Sequence, residues 1–340
     1  MKKLCMILPL ALLLCFIIGC QDKEAKQTMF VMTVNGPLDT REMGITLTHE
    51  HVLVDVIGAD KISKDRYDLN EVLKVRLPLL RKAQEFGCNT FVDCTTQHIA
   101  RDSELLKRLS NEIGMHFIAS TGYLGDFNDR CLPSFAMTET ADQLAERIVK
   151  EWENGIDDTG IKPGLIKIAV DRGSLSEVHR KITRAAALAH HKTGLTIASH
   201  SKSAIGTFEQ LEILKEERVD PSAFIWVHAH EEKDTKTHVK AAEMGAWVSF
   251  DQIIYFEIEH FVSIISNMKS ANLLNRVLLS HDSTYVVGLN ENVNTVGYTR
   301  LFEELIPALK KSDFSEEEIE QMIIINPQDA FAYRVRTLKE

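Results

Sequence analysis

The segment His49-Glu50-His51 sets two imidazoles two residues apart at the end of an apolar, β-branched stretch. On a strand, residues two apart project to the same side, so both rings can reach one metal ion. A lone His-x-His reads equally well as two surface histidines. Here the position recurs at the ends of four further apolar stretches: Lys167 in Leu165-Ile166-Lys167-Ile168-Ala169, His200 closing Ile197-Ala198-Ser199-His200, His228 after Trp226-Val227, and Asp282 closing Leu278-Leu279-Ser280-His281-Asp282. Five stretches thus offer six nitrogen and oxygen ligand candidates at one level. Lys167 is the most informative. Bracketed by isoleucines in a buried strand, its amine must be neutral, paired with a carboxylate, or chemically converted, because a bare buried ammonium is strongly unfavourable. Reaction with carbon dioxide would turn Lys167 into a carbamate, an anion whose two oxygens can bridge two metal ions. A buried Lys paired with Asp or Glu is the alternative that spacing leaves open.

These residues need a frame that brings strand ends together. Short apolar runs at 45–51, 90–94, 117–121, 165–170, 195–200, 224–230, 247–251 and 277–282 read as eight strands. They alternate with stretches of helical period at 70–86, 103–113, 140–154, 176–192, 206–217, 235–244, 258–271 and 298–311. Repeated strand–helix alternation implies a parallel sheet covered by helices, and eight units predict an α/β fold of the (β/α)8 TIM-barrel type. Gly87, Gly114, Gly194 and Gly245 follow helical stretches as stop signals, and Ser315-Glu316-Glu317-Glu318 has capping-box spacing for a C-terminal helix running to about residue 324. The longest loops, 122–138 and 283–297, follow strands and so belong to the face where such barrels place their sites.

The 340-residue chain has a formal net charge of −10 and is 44% hydrophobic. That composition excludes disorder, and the acidic balance without a basic cluster argues against nucleic-acid binding. Lys2 and Lys3 precede an apolar run that stops at Gly19-Cys20, the layout of an export signal rather than of a spanning helix. Phe16-Ile17-Ile18-Gly19-Cys20 resembles a bacterial lipobox. The expected organisation is a lipoprotein signal peptide over 1–20 with lipid on Cys20, a polar tether over 21–30, and one barrel domain over 31–340. The protein is then exported and held on a bacterial membrane, facing the periplasm or the cell surface, through its lipid anchor alone. Of six cysteines, Cys88, Cys94 and Cys131 remain beyond the signal, an odd number without metal-type spacing, so no disulfide framework is expected.

Taken in order, Thr48-His49-Glu50-His51, Arg101-Asp102, Ser120-Thr121-Gly122, Lys162-Pro163-Gly164-Leu165-Ile166-Lys167, Ser199-His200, Val227-His228, Ser280-His281-Asp282 and Asn326-Pro327 resemble the motifs of the phosphotriesterase family of the amidohydrolase superfamily. The resemblance covers nearly all of residues 31–335. It implies a distorted (β/α)8 barrel with two divalent ions, usually zinc, although such a ligand set also accepts manganese or cobalt. His49, His51 and Asp282 would hold the buried ion, His200 and His228 the more exposed one, and carboxylated Lys167 with a hydroxide would bridge them. Asp282 would also take the proton when that hydroxide attacks. The family spacing favours His228 over His230 as ligand, which leaves His230 in the pocket or behind the ligands, the alternative being that the two share or exchange the ligand role.

The pattern departs from the family where substrate is chosen. After Asp251, phosphotriesterases carry a histidine that relays protons, and lactonase-like relatives tend to carry Arg; this chain has Gln252, which cannot relay. Ser283-Thr284-Tyr285 lacks the tryptophan that helps shape an aryl-phosphate pocket. The expected activity is hydrolysis of a small carboxylic ester or lactone, with a phosphate ester second. The alternatives are an amide hydrolase of the same superfamily and a lipoprotein that binds a ligand without turnover. Homodimers are common in the family, and nothing in the sequence opposes one.

Overall fold

The computed structural model describes residues 28–289 and 294–339. The expected signal peptide, Cys20 and all but the last residues of the expected tether lie outside the described residues. The chain first forms an antiparallel hairpin of β1 (Phe30–Thr33) and β2 (Gly36–Asp39), with Phe30 opposite Asp39. Phe30, assigned from sequence to the end of the tether, is therefore already in a strand.

Eight staves follow: β3 (Ile45–Glu50), β4 (Cys88–Asp93), a third stave broken at Ala119 into β5 (His116–Ile118) and β6 (Ser120–Thr121), then β7 (Leu165–Ala169), β8 (Thr196–His200), β9 (Phe224–Val227), β10 (Trp247–Phe250) and β11 (Val277–Leu279). Paired neighbours are parallel throughout. The ring closes between β11 and β3, where Thr48 Oγ1 donates to Leu279 O at 3.1 Å, His49 N to Ser280 Oγ at 2.9 Å, and Asp282 N to His49 O at 3.1 Å. The fold is thus the expected (β/α)8 barrel, with helices α1 (Leu69–Glu85), α2 (Ser103–Ile113), α3 (Ser134–Thr138), α4 (Ala141–Asn154), α5 (Glu177–Thr193), α6 (Ala204–Glu216), α7 (Thr235–Glu243) and α8 (Ile258–Ser270), and a final helix Asn326–Phe331.

Strand alternation sorts side chains between two cores. On β7, Ile166 and Ile168 pack outward among the helices, while Leu165 joins the barrel interior with Val92, Ala198, Ile225 and Leu278. Lys167 shares the inward parity of Leu165 and Ala169, one layer above the apolar floor. Gly122, just past β6, has φ +117°, and a Cβ there would lie 2.1 Å from the carbonyl oxygen of Lys167. Only glycine permits that approach.

Six strands end at least one residue earlier than expected, and past three of them the backbone turns. β9, β10 and β11 stop at Val227, Phe250 and Leu279, and His228, Gln252 and Asp282 adopt left-handed φ of +64°, +59° and +55°. Strand parity therefore does not govern their side chains. The expected helix at 298–311 opens as a π-turn over Leu301–Leu305 before Ile306–Lys311, and the last helix has the same break over Gln321–Ile325. Pro307 and Pro327, which lack an N–H, lie just after these breaks.

Candidate metal centre

His49 and His51 come from the end of β3. His49 Nδ1–H donates to Asp251 Oδ2 at 3.1 Å, which leaves its Nε2 as a lone pair facing the barrel axis. His228, just beyond β9, donates through Nδ1 to Asp251 Oδ1 at 2.5 Å. Asp251 also accepts from Ser249 Oγ at 2.9 Å and His228 N at 3.3 Å, so one buried carboxylate is engaged on both oxygens and fixes two rings. His51 Nδ1 lies 2.9 Å from Thr95 Oγ1, which in turn donates to Leu53 O, so the ring is the donor and its Nε2 is free. All three imidazoles are held from behind with Nε2 forward, the tautomer a cation requires.

The forward nitrogens converge on Asp282. Its Oδ1 is 3.5 Å from His49 Nε2 and 3.3 Å from His51 Nε2, and its Oδ2 is 3.8 Å from His228 Nε2. His49, His51 and Asp282 are thus grouped closely enough to hold one metal ion. A second grouping of His49, His228 and Asp251 is equally tight. There the facing atoms are the Nδ1 donors, which makes it the rear support of the rings. His200, the last residue of β8, packs edge-on to His228 with ring centroids 4.3 Å apart.

Lys167 Nζ donates to His49 Nε2 at 3.1 Å and forms no ion pair with a carboxylate among the described residues. The paired-lysine alternative is therefore not the arrangement observed. An ammonium 1% exposed with only an imidazole for company is a poor resting state. Conversion to a carbamate would replace that cation with an anion among four nitrogen donors. The donor set of imidazoles, carboxylate and modifiable amine fits a pair of divalent ions.

Burial, reinforced by the neighbouring Lys167 charge, lowers His49 to about 4. Burial likewise holds His200 well below the ordinary imidazole range, so both rings are neutral and ready to ligate. Burial alone would raise Asp282, yet the facing His49, the His51 hydrogen bond and His228 hold its carboxyl well below the usual range. Asp251 behaves alike, held ionised against its burial by His228 and His49.

His49, His51, Lys167, His200, His228 and Asp282 all line one cavity of about 230 Å³, whose remaining wall is largely Val54, Val56, Ile99, Leu124, Phe127 and Tyr255. His230 lies outside that lining, packed edge-on to Phe256. It still reaches the site indirectly: its Nε2 is 3.2 Å from Gln252 Oε1, and Gln252 Nε2 donates to Asp282 Oδ2 at 2.9 Å. Gln252 therefore ties His230 to Asp282 through an amide. Sequence reasoning missed Thr95, whose hydroxyl orients His51, and Asp126, an acid in the 122–138 loop that lines the cavity beside His200. Burial pushes the Asp126 carboxyl up to about 6. Neither position carries a local signal, since each acquires its place only by tertiary approach.

Fold and site together define a (β/α)8 barrel with a histidine–carboxylate centre at the C-terminal ends of its strands. The sequence profile of the phosphotriesterase family matches residues 29–331, and the chain belongs to that family. It is similar to the phosphotriesterase homology protein of Escherichia coli K12, with 30% identity over 292 residues that cover 85% of this chain and 98% of the relative. It is also similar to the aryldialkylphosphatase of Saccharolobus solfataricus, with 25% identity over 309 residues, 87% of this chain and 97% of that protein. The N-acetyltaurine hydrolase of Homo sapiens is 23% identical over 346 residues, 89% of this chain and 98% of that protein.

Proposed function

We propose that the protein is a metal-dependent hydrolase with a binuclear centre that cleaves a small carboxylic ester or lactone. The observation that carries this reading is the convergence on one cavity of three rear-anchored imidazoles, Asp282 and a buried Lys167 that has no carboxylate partner among the described residues. His49, His51 and Asp282 would hold one ion, His200 and His228 the other, and carboxylated Lys167 would join the two. Two such ions, when bound, make hydroxide available at neutral pH and polarise the scissile oxygen. Asp282, ionised and held at Oδ2 by the Gln252 amide, is the group positioned to accept a proton. An amide orients but does not carry a proton onward, so that proton leaves through the cavity mouth or on the leaving group. The apolar wall and modest volume suit a compact acyl substrate better than a phosphotriester with aryl and alkyl arms.

Amide hydrolysis is the second reading, favoured by the likeness to a protein named for cleaving an N-acyl amine. The export reading rests on residues 1–20 alone. The test is elemental analysis of protein lacking those residues, paired with a pH-indicator screen of lactones, aryl esters, phosphotriesters and N-acyl amines. About two metals per chain and turnover of lactones or esters is the expected result. Fully folded, metal-free protein that retains turnover would overturn the site assignment.

A further inference from the structure

Asp126 sits in the segment after β6, and none of the chemistry proposed above uses it. It is only 5% exposed and lines the cavity alongside Lys167 and His200, with Oδ2 3.9 Å from His200 Nε2. Its Oδ1 has no hydrogen-bond partner among the described residues. Other buried carboxylates of this barrel differ. Glu50 accepts from Ser280 Oγ, His281 N and Ser283 N, Asp93 from Val52 N and Thr95 N, and Asp251 from two imidazoles and a hydroxyl. Buried polar atoms are normally paired, and a carboxylate left partly unpaired on a residue that lines a cavity is a candidate for pairing with a ligand.

The backbone around Asp126 is held against its own preference. Phe127, Asn128 and Asp129 have φ of +55°, +54° and +60°, a run of three left-handed non-glycine residues that includes an aromatic. Three contacts flank it: His179 Nε2 lies 2.7 Å from Gly125 O and 3.0 Å from Asp129 Oδ1, and Gly125 N donates to Ala169 O at 2.9 Å. A Cβ at Gly125 would meet His179 at 2.8 Å, so that seat is tight. Beyond the proposed metal ligands, the neighbouring wall includes the apolar Leu124, Phe127 and Cys131, and Lys202, which also lines the cavity, is already paired with Glu231 at 2.8 Å.

We propose that Asp126 determines specificity by accepting a hydrogen bond from a donor on the substrate, a hydroxyl or an amine carried next to the scissile carbonyl. The inference rests on the hydrolase reading for its substrate class, and it adds that the acyl portion is not purely hydrocarbon. A site built to pair with a donor discriminates strongly against the analogue without one, because its own acceptor is then left unpaired.

The test uses metal-loaded protein and three lactones of one ring size: γ-butyrolactone, its α-hydroxy derivative and its α-amino derivative. Hydrolysis gives kcat/KM, calorimetry gives Kd, and both are compared between wild type, Asp126→Asn and Asp126→Leu, with metal content measured for each. The expected result is a preference of at least about tenfold for one or both donor-bearing lactones. That ratio collapses toward one in Asp126→Leu at unchanged metal content. A preference confined to the amino compound names a cationic substrate; one shared by the hydroxy compound names a neutral donor. Equal handling of all three by wild type, or a ratio that survives both substitutions, overturns the proposal. Loss of metal in Asp126→Asn with all three falling together also overturns it, because Asp126 would then serve the ions. Absence of hydrolysis would count against the ester reading, while the Kd ratios would still decide the role of Asp126.

Discussion

Arg101 and Lys167 are both buried cations in the same barrel, and they are treated in opposite ways. Arg101, whose side chain is 1% exposed, is bonded to Ser120 O at 2.9 Å, Glu151 Oε1 at 2.7 Å and Asp157 Oδ1 at 2.8 Å. Lys167, equally buried, has one imidazole nitrogen and, among the described residues, no carboxylate. The first cation is neutralised by protein and locks the entry of α2 to the loop after α4. The second has no such neutralising partner among the described residues. The carboxylates divide in the same way, with Glu50 fully engaged and Asp126 Oδ1 without a hydrogen-bond partner among the described residues. In this barrel the fully satisfied buried charges serve architecture, and the unsatisfied ones that line the cavity are those on which the proposed chemistry depends.

That division is tested most severely at Lys167. In Lys167→Ala, metal content and hydrolysis should both fall to background, while folding is retained or improved because a poorly paired buried cation is gone. Acetate or propionate in the assay should restore part of both, by supplying the carboxylate that the carbamate would have provided. Metal analysis and thermal melting read the two halves separately. Wild-type activity in this variant would remove the bridge from the site, and a large loss of stability would place Lys167 with Arg101.

Arg101→Ala should show the reverse. Removing the guanidinium leaves Asp157 and Glu151 facing each other in a largely buried place, a cost of about 3–5 kcal/mol, whereas metal bound per folded chain should not change. The pH dependence sharpens this. Burial would raise Asp157, but Arg101 holds its carboxyl below the ordinary value. A group with a depressed folded pKa contributes stability above its unfolded pKa, about 3.9, and loses that contribution as pH falls through the folded value. Wild type should therefore lose melting temperature on acidification below about pH 4, and Arg101→Ala should lack that component. Parallel acid limbs in the two proteins would contradict the pairing.

How far these roles can be read from sequence depends on whether strand parity governs the residue. Leu165, Lys167 and Ala169 were legible because β7 is regular, and so were the two histidines at the end of β3. His228, Gln252 and Asp282 were legible as strand-end positions but not in orientation, because each lies one to three residues past its strand in a left-handed conformation that its residue type does not announce. The hairpin of β1 and β2 went unread beside the tether although Asn35-Gly36 is a turn signal. Thr95 and Asp126 were invisible for a different reason: their roles come from approach across the barrel mouth, which no local pattern encodes.

Asp251 is where the two classes of buried charge meet, since it is fully engaged yet hydrogen-bonded directly to two of the proposed metal ligands. Its carboxylate faces donors on every side, from His49 Nδ1, His228 Nδ1, Ser249 Oγ and His228 N. Asp251→Asn keeps the shape but replaces one acceptor oxygen with an NH2, which must confront a donor. One of the two imidazoles then loses its rear support, and either its ring turns or its tautomer flips so that Nε2 carries the hydrogen. Both outcomes weaken a ligand without removing it. The expected effect is about 10–100-fold weaker metal affinity, smaller than the loss at Lys167, with little change in melting of the metal-free protein. Titration against a competing chelator, read beside the melting curve, separates the two. A variant that binds metal normally but melts much earlier would show Asp251 to be architecture in the manner of Arg101, and the line between the two classes would then run inside the cavity wall.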